Sequence, residues 1–512
     1  MTRNMVMRIL LALVITGAFA QTNTSAAGDA QTELVRASGS SPFANCSIQL
    51  LSDFGEINDL NAEVEPWVVV NPQDSDNLVG VWQQDRFTFG GARGLVTGFS
   101  RDGGETWRRT FPHFSRCASG NPQNGGDYER ASDPWVTFSP GGTAFQIALS
   151  FDQIAFPYKQ AILVSRSGNG GKTWTEPVAL IRDTDPNIGD DKESITADPV
   201  HLGFVYAVWD RLDFNSPNGF QGPIWFTRTT NEGATWEPAR IIYNPGLNAS
   251  TIANQIAVLP NGDLVDLFVR FNVSDAVVAV IRSHDKGWTW SAPIIIDSVQ
   301  SIGVVDSKTG EPLRTGDVIP NIAVDRDSGT LYVIWQDARF SGGLRDGVVL
   351  SKSTNGGSTW SAPVQVNQAP NVQAFTAAVD VAEHGKIGVT YYDFRKDNND
   401  PNVLLTNYWQ VTSRDGGASW KEIPLAGPFD MRTAPIARGF FVGDYQGLGH
   451  AGAKFLPFYV ATNSGNLVNR TDVFAAVRGE DGDKGGNDRE EVNANPMPLR
   501  QRVESHREKR RH

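Results

Sequence analysis

Aspartate and arginine recur together or one residue apart in this sequence, among other places at Asp85-Arg86, Asp210-Arg211, Asp337-Ala338-Arg339 and Asp393-Phe394-Arg395. Further carboxylates stand at Glu129, Asp133, Glu193 and Asp444. Tyr392 precedes Asp393, and Tyr445 follows Asp444. Carboxylates and phenols can move protons or attack an electrophilic centre, and a guanidinium fork grips an anion or a polar ligand through two hydrogen bonds. The same residues have a plainer use: an Asp/Arg pair repeated around a fold can bond to itself and seal one unit to the next. An active site is asymmetric. The irregular members, Glu129, Glu193, Tyr392, Asp393, Asp444 and Tyr445, are therefore the stronger catalytic candidates. Glu65-Pro66-Trp67 and Asp133-Pro134-Trp135 read as one structural device used twice.

These residues sit at the ends of short strands. First strands are read at Trp67-VVVNP, Trp135-VTFSP, Ser194-ITADP, Gln255-IAVLP, Asn321-IAVD, Phe375-TAAVD and Tyr445-QGLG, each followed by a turn and a second apolar strand. Third strands follow, and most run into a recurring turn, SRDGGETW at Trp107, with further copies ending at Trp174, Trp236, Trp290, Trp360 and Trp420. Successive tryptophans are 67, 62, 54, 70 and 60 residues apart, so each interval holds one supersecondary unit. The turn needs no ligand: Asp or Asn folds back on nearby N–H groups, glycine supplies a left-handed position, and the tryptophan covers a seam. Antiparallel strands put all these turns on one face. The starts of the first strands and the ends of the second strands lie on the other, around the axis.

The repeated turn is the Asp box, and the chain resembles the sialidase superfamily over residues 45–478. The resemblance implies an all-β, sialidase-like β-propeller. Counting strands favours seven four-stranded blades, with a six-bladed ring as the alternative, and an N-terminal strand closing the last blade. Cys46-SIQLLS beside residues 471–477 is the expected closing strand. The resemblance also implies an exo-glycosidase with an axial pocket. Arginines for a substrate carboxylate would be drawn from Arg86, Arg211, Arg339 and Arg395. Tyr392 would be the nucleophile, Glu193 or Glu129 its activating carboxylate, and Asp85 or Asp133 the acid, with Asp393 beside them. Asp444 and Tyr445, in the GDYQGL stretch Gly443 to Leu448, would bind substrate. Where the family carries Arg-Ile-Pro, this chain has Glu65-Pro66-Trp67. Two other functions fit the same features: a non-catalytic carbohydrate- or protein-binding propeller, and a polysaccharide lyase.

Arg3 and Arg8, the apolar run from Ile9 and Ala18-Phe19-Ala20 predict a signal peptide over residues 1–20 and a secreted protein, extracellular or periplasmic. Residues 21–44 read as a flexible lead-in, and 479–512 as a charged, disordered tail. Cys46 and Cys117 suit an oxidising compartment and are expected to pair. Formal charge is −12, and the eight acidic and eight basic residues of the tail cancel, so the folded body is acidic. That argues against nucleic acid and anionic membrane. The expected partner is a glycan or glycoconjugate, the expected state a monomer without a membrane partner. No glycine-rich nucleotide loop, zinc-type Cys/His spacing or serine nucleophile elbow occurs, so no cofactor is expected beyond an optional structural calcium held by oxygen-rich ends such as Asp133, Glu193 and Asp444.

Overall fold

The computed structural model describes residues 33–154 and 158–477, so the expected signal peptide and charged tail lie outside the described residues. The described chain is all-β, its helices limited to short 3-10 turns. Strands pair into successive four-stranded antiparallel sheets whose first strands are Glu63–Asn71, Arg130–Phe138, Ile188–Ala197, Ala249–Val258, Asn321–Val324, Ala374–Ala382 and Gly447–Ala451. Each first strand packs against the next, and Gly447–Ala451 also packs against Glu63–Asn71. They run side by side in one direction. The Ala197 N–H donates to the Thr137 hydroxyl, the Ser194 hydroxyl to the Asn254 carbonyl and the Thr196 hydroxyl to the Ile256 carbonyl, each 60 residues away. Corresponding connections of successive sheets therefore share a face.

Apolar faces meet between sheets. Trp135, Ile147 and Ile162 of the second sheet, for example, are buried against Ile195, Ala207 and Trp209 of the third. The alternating pattern of the strands makes this inevitable, since burying one set of side chains turns the other into the opposite seam. The Asp boxes finish the third strands. At Asp102, Asn169, Asn231, Asp285, Asn355 and Asp415 the side chain accepts the backbone N–H four residues on at 2.9–3.0 Å. The hydrogen bonds of Ser419 and Ser413 hold the Asp415 carboxyl well below the usual carboxylate range. The turn is complete from its own atoms.

One expectation is corrected. The strand beside Thr471–Val477 is Glu33–Arg36, not Cys46–Ser52, which contains no strand. The Ser38 hydroxyl donates to Asp472 at 2.6 Å and the Ala37 N–H to the Val473 carbonyl at 2.9 Å, which fixes the register. Four residues with a single alternation are too little to distinguish from a polar lead-in by composition. Cys46 is instead bonded to Cys117, with the Cα atoms 5.4 Å apart and 71 residues between them in sequence. Replacing both cysteines by serine is expected to lower stability by about 2–5 kcal/mol, because the unfolded chain regains the freedom of a long loop. Urea unfolding of the double variant, and of the wild type with reductant, measures this.

Candidate active site at the bulged first strands

Five first strands carry the same irregularity. Their ladders slip by a residue at Glu65, Asp133, Lys192, Ala253 and Thr376, and each of these has positive φ, from 45° to 68°. Non-glycine residues rarely adopt this conformation, and a bulge that imposes it re-aims the side chain. Because the same position is bulged in neighbouring strands, the side chains of Glu65, Asp133 and Lys192 come together. Two glycines let the backbone close in beside them. Gly443 (φ 132°) packs so that a Cβ would lie 2.7 Å from the Glu65 nitrogen, and a Cβ on Gly316 (φ 62°) would lie 2.0 Å from the Asp444 carbonyl oxygen.

The cluster so assembled holds the carboxyls of Glu65, Asp133, Asp191, Glu193 and Asp444 with the cations Arg86, Lys192 and Arg314. Glu65 is buried, and burial, then Asp133 and Asp444, push its pKa well up. Glu193 is fully buried with neither oxygen hydrogen-bonded, and burial and Asp133 raise it too. Asp191 differs: protein surrounds it, yet the residue is open to solvent. Burial and then Asp133 push it up to about 7. Arg314 grips Asp444 through two parallel hydrogen bonds, one from Nε at 3.0 Å. Lys192 sits over the Tyr445 ring at 3.9 Å and the Trp135 ring at 4.6 Å, and Trp135 stacks on Trp67. The site therefore has acidic groups of unequal proton affinity beside an aromatic wall.

The expected residues divide sharply. Asp133, Glu193, Asp444, Tyr445 and Arg86 belong to the cluster. Arg86 is buried, donates to the Gln83 side chain at 2.7 Å and lies over Phe441. Tyr445 is buried with its hydroxyl donated to the Pro134 carbonyl, so it forms wall. Tyr392 lies in the packing between sheets, donating to the Val460 carbonyl at 2.7 Å and stacked on Phe375, with its pKa pushed well up by burial. A buried phenol whose proton is donated to a backbone carbonyl has no route to a substrate, so Tyr392 is a packing residue and not a nucleophile. Asp85 takes the Ser41 hydroxyl and the Asn61 N–H and anchors the N-terminal connection. Glu129 accepts the N–H groups of Gln153 and Ile154 at 2.6 and 2.8 Å and holds a loop.

Nor do the four arginines form a cradle. Arg211 pairs with Asp190 and Asp183 beside Trp225, Arg339 with Asp337 and Asp297, and Arg395 with Asp393 and Glu422 over Trp409 at 3.8 Å. In each, a tryptophan Nε1 donates to the aspartate, at 3.2, 2.9 and 2.8 Å for Asp190, Asp337 and Asp393. These are structural clasps: Arg395 stays within its own sheet, while Arg211 and Arg339 also reach back to Asp183 and Asp297 on the last strand of the preceding sheet. The sequence reading missed Arg314. It lies on Pro312–Arg314, in the long connection between the fourth and fifth sheets, and pairs in parallel with Phe440–Phe441. Nothing local in the sequence links the two segments. Among the described residues, no three His, Cys, Asp or Glu side chains are arranged to hold a metal ion.

No protein-family model and no curated protein matches the chain. Solved structures with similarity include a protein of unknown function from Dyadobacter fermentans DSM 18053, at 14% identity over 83% of this chain and 98% of that one, TM-score 0.42. The GH93 α-L-arabinofuranosidase of Fusarium graminearum with arabinobiose is 14% identical over 66% of this chain and 91% of its own, TM-score 0.43. Trypanosoma rangeli sialidase is 14% identical over 66% and 53%, TM-score 0.40.

Proposed function

We propose that the sheets are the blades of a seven-bladed propeller, closed through Glu33–Arg36, and that its axial site is that of an exported glycoside hydrolase acting on neutral glycans. Asp191 is the proton donor, the role that suits an accessible carboxyl whose pKa is about 7. Asp444, oriented by Arg314, is the second carboxylate of the pair that glycoside hydrolysis uses. Trp135 and Tyr445 make the wall beside them. The observation that carries the reading is the single solvent-open, proton-holding carboxyl among buried ones. A neutral substrate is favoured over a sialoside because the cluster has more carboxyls than cations, and Arg211, Arg339 and Arg395 are engaged elsewhere.

The purified protein is expected to release sugar from neutral members of a fluorogenic glycoside panel and none from sialosides. Release from sialosides alone would overturn the neutral preference, and release from none would overturn the enzyme. The second reading, a non-catalytic glycan-binding propeller, is favoured by the repeated Asp–Arg–Trp clasps, which are pure architecture. Glycan-array binding without turnover would identify it.

A further inference from the structure

Exposed apolar side chains are unevenly distributed. The connections between second and third strands carry Phe89, Phe214, Val273, Leu344 and Val468, in the first, third, fourth, fifth and last sheets, and the segment leading into the first sheet adds Phe54. Their exposure runs from 45% for Phe89 to 90% for Val273, with Val468 at 77% and Leu344 at 71%. By strand parity these tips share the face opposite the Asp boxes; on the box side the turns expose Val200, Leu202 and Trp288, and the outer strands that leave the boxes expose Val178, Ile241, Ile295 and Val364. Isolated exposed leucines need no explanation, but tips on five sheets and a linker, all on one face, do.

We propose that this face docks on an uncharged, zwitterionic lipid surface, with the loop tips entering the interface. Three observations select that occupant. The tips are spread sheet by sheet, separated by residues such as Asn272, Ser274, Gly343, Asn466 and Asn469 rather than joined in one apolar patch, which suits a deformable surface that each tip enters separately. Half are aliphatic, and aliphatic tips gain by entering hydrocarbon, whereas a sugar ring stacks on flat aromatic faces. The formal charge of −12 opposes an anionic surface but is indifferent to a zwitterionic one. The expectation of no membrane partner rested on that charge, which speaks to anionic lipid, and on the lack of a spanning segment, which peripheral docking does not need. Among the described residues no helix is long and apolar enough to cross a bilayer, and the proposal needs none.

The test is co-flotation of the full chain with phosphatidylcholine vesicles, compared with vesicles containing phosphatidylserine. Binding to phosphatidylcholine is expected, weaker with phosphatidylserine, and reduced at least tenfold in a Val273→Asp, Leu344→Asp, Val468→Asp triple variant. These side chains are exposed, so the variant should unfold at the wild-type temperature, which a thermal melt verifies. No flotation of the wild type overturns the proposal, as does flotation that the substitutions leave unchanged. Dimerisation abolished by the substitutions, without flotation, would assign the face to a second copy. Retention on an insoluble neutral polysaccharide in place of vesicles would assign it to a polymer.

Discussion

Asp191→Asn is expected to lower kcat on the best neutral glycoside by about 10²- to 10⁴-fold, the range a positioned general acid supplies. KM should change little, since the amide keeps the volume and polarity of the carboxyl and loses only the proton. The pH profile makes the assignment specific. A general acid works while protonated, and burial and Asp133 push Asp191 up to about 7, so wild-type activity should fall as pH rises through about 7. The residual activity of the variant should lose that limb. A substrate with a good leaving group, such as a dinitrophenyl glycoside, needs little protonation and should be largely rescued. A variant with full activity, or one whose alkaline limb is unchanged, would remove Asp191 from the mechanism. Glu193 would not serve as a substitute, because it is fully buried.

The largest stability effect is expected at Arg130. Its guanidinium is buried, donates to both oxygens of Glu56 at 2.8 and 3.0 Å and to the Gly90 carbonyl at 3.0 Å, and lies over the Phe87 ring at 4.0 Å. Glu56 in turn accepts the Leu51 N–H at 2.9 Å, so the pair holds the segment after the disulfide against the second sheet. Arg130→Met keeps the stem but strands a buried carboxylate, and about 3–5 kcal/mol should be lost. Adding Glu56→Gln should recover part of that, because the stranded charge is removed. The non-additivity, read in urea melts of the two single variants and the double, measures the coupling. Equal losses in Arg130→Met and the double variant would mean that lost packing, not the unpaired charge, sets the cost.

The repeats made the architecture legible in the chain itself. The Asp boxes contain every atom their turns need: Asp102 or Asn169 reaches the N–H four residues on, and the glycines supply the positive φ. Strand alternation and parity likewise place Asp133, Glu193 and Asp444 at the starts of successive first strands, because these are local, periodic properties. The pairing of Asp with Arg was legible in part: Arg339 and Arg395 bond the aspartates two residues before them, whereas Arg211 takes Asp190 and Asp183 in place of Asp210, and Arg86 takes Gln83 in place of Asp85.

What only the tertiary structure decided was everything that joins distant segments. Glu33–Arg36, too short to read as a strand, pairs with the last sheet more than four hundred residues away. Arg314 meets Asp444 through a parallel pairing that no periodicity announces. Tyr392 and Tyr445 both stand beside an aspartate in sequence, yet one is sealed between sheets and the other packs beside Lys192 in the acidic cluster, since which face of a strand turns inward depends on bulges such as those at Asp133 and Lys192. Composition cannot separate a carboxyl that is buried from one that is deep and still wet. That difference, between Glu193 and Asp191, two residues apart, comes from how the surrounding strands pack and not from either residue's chemistry.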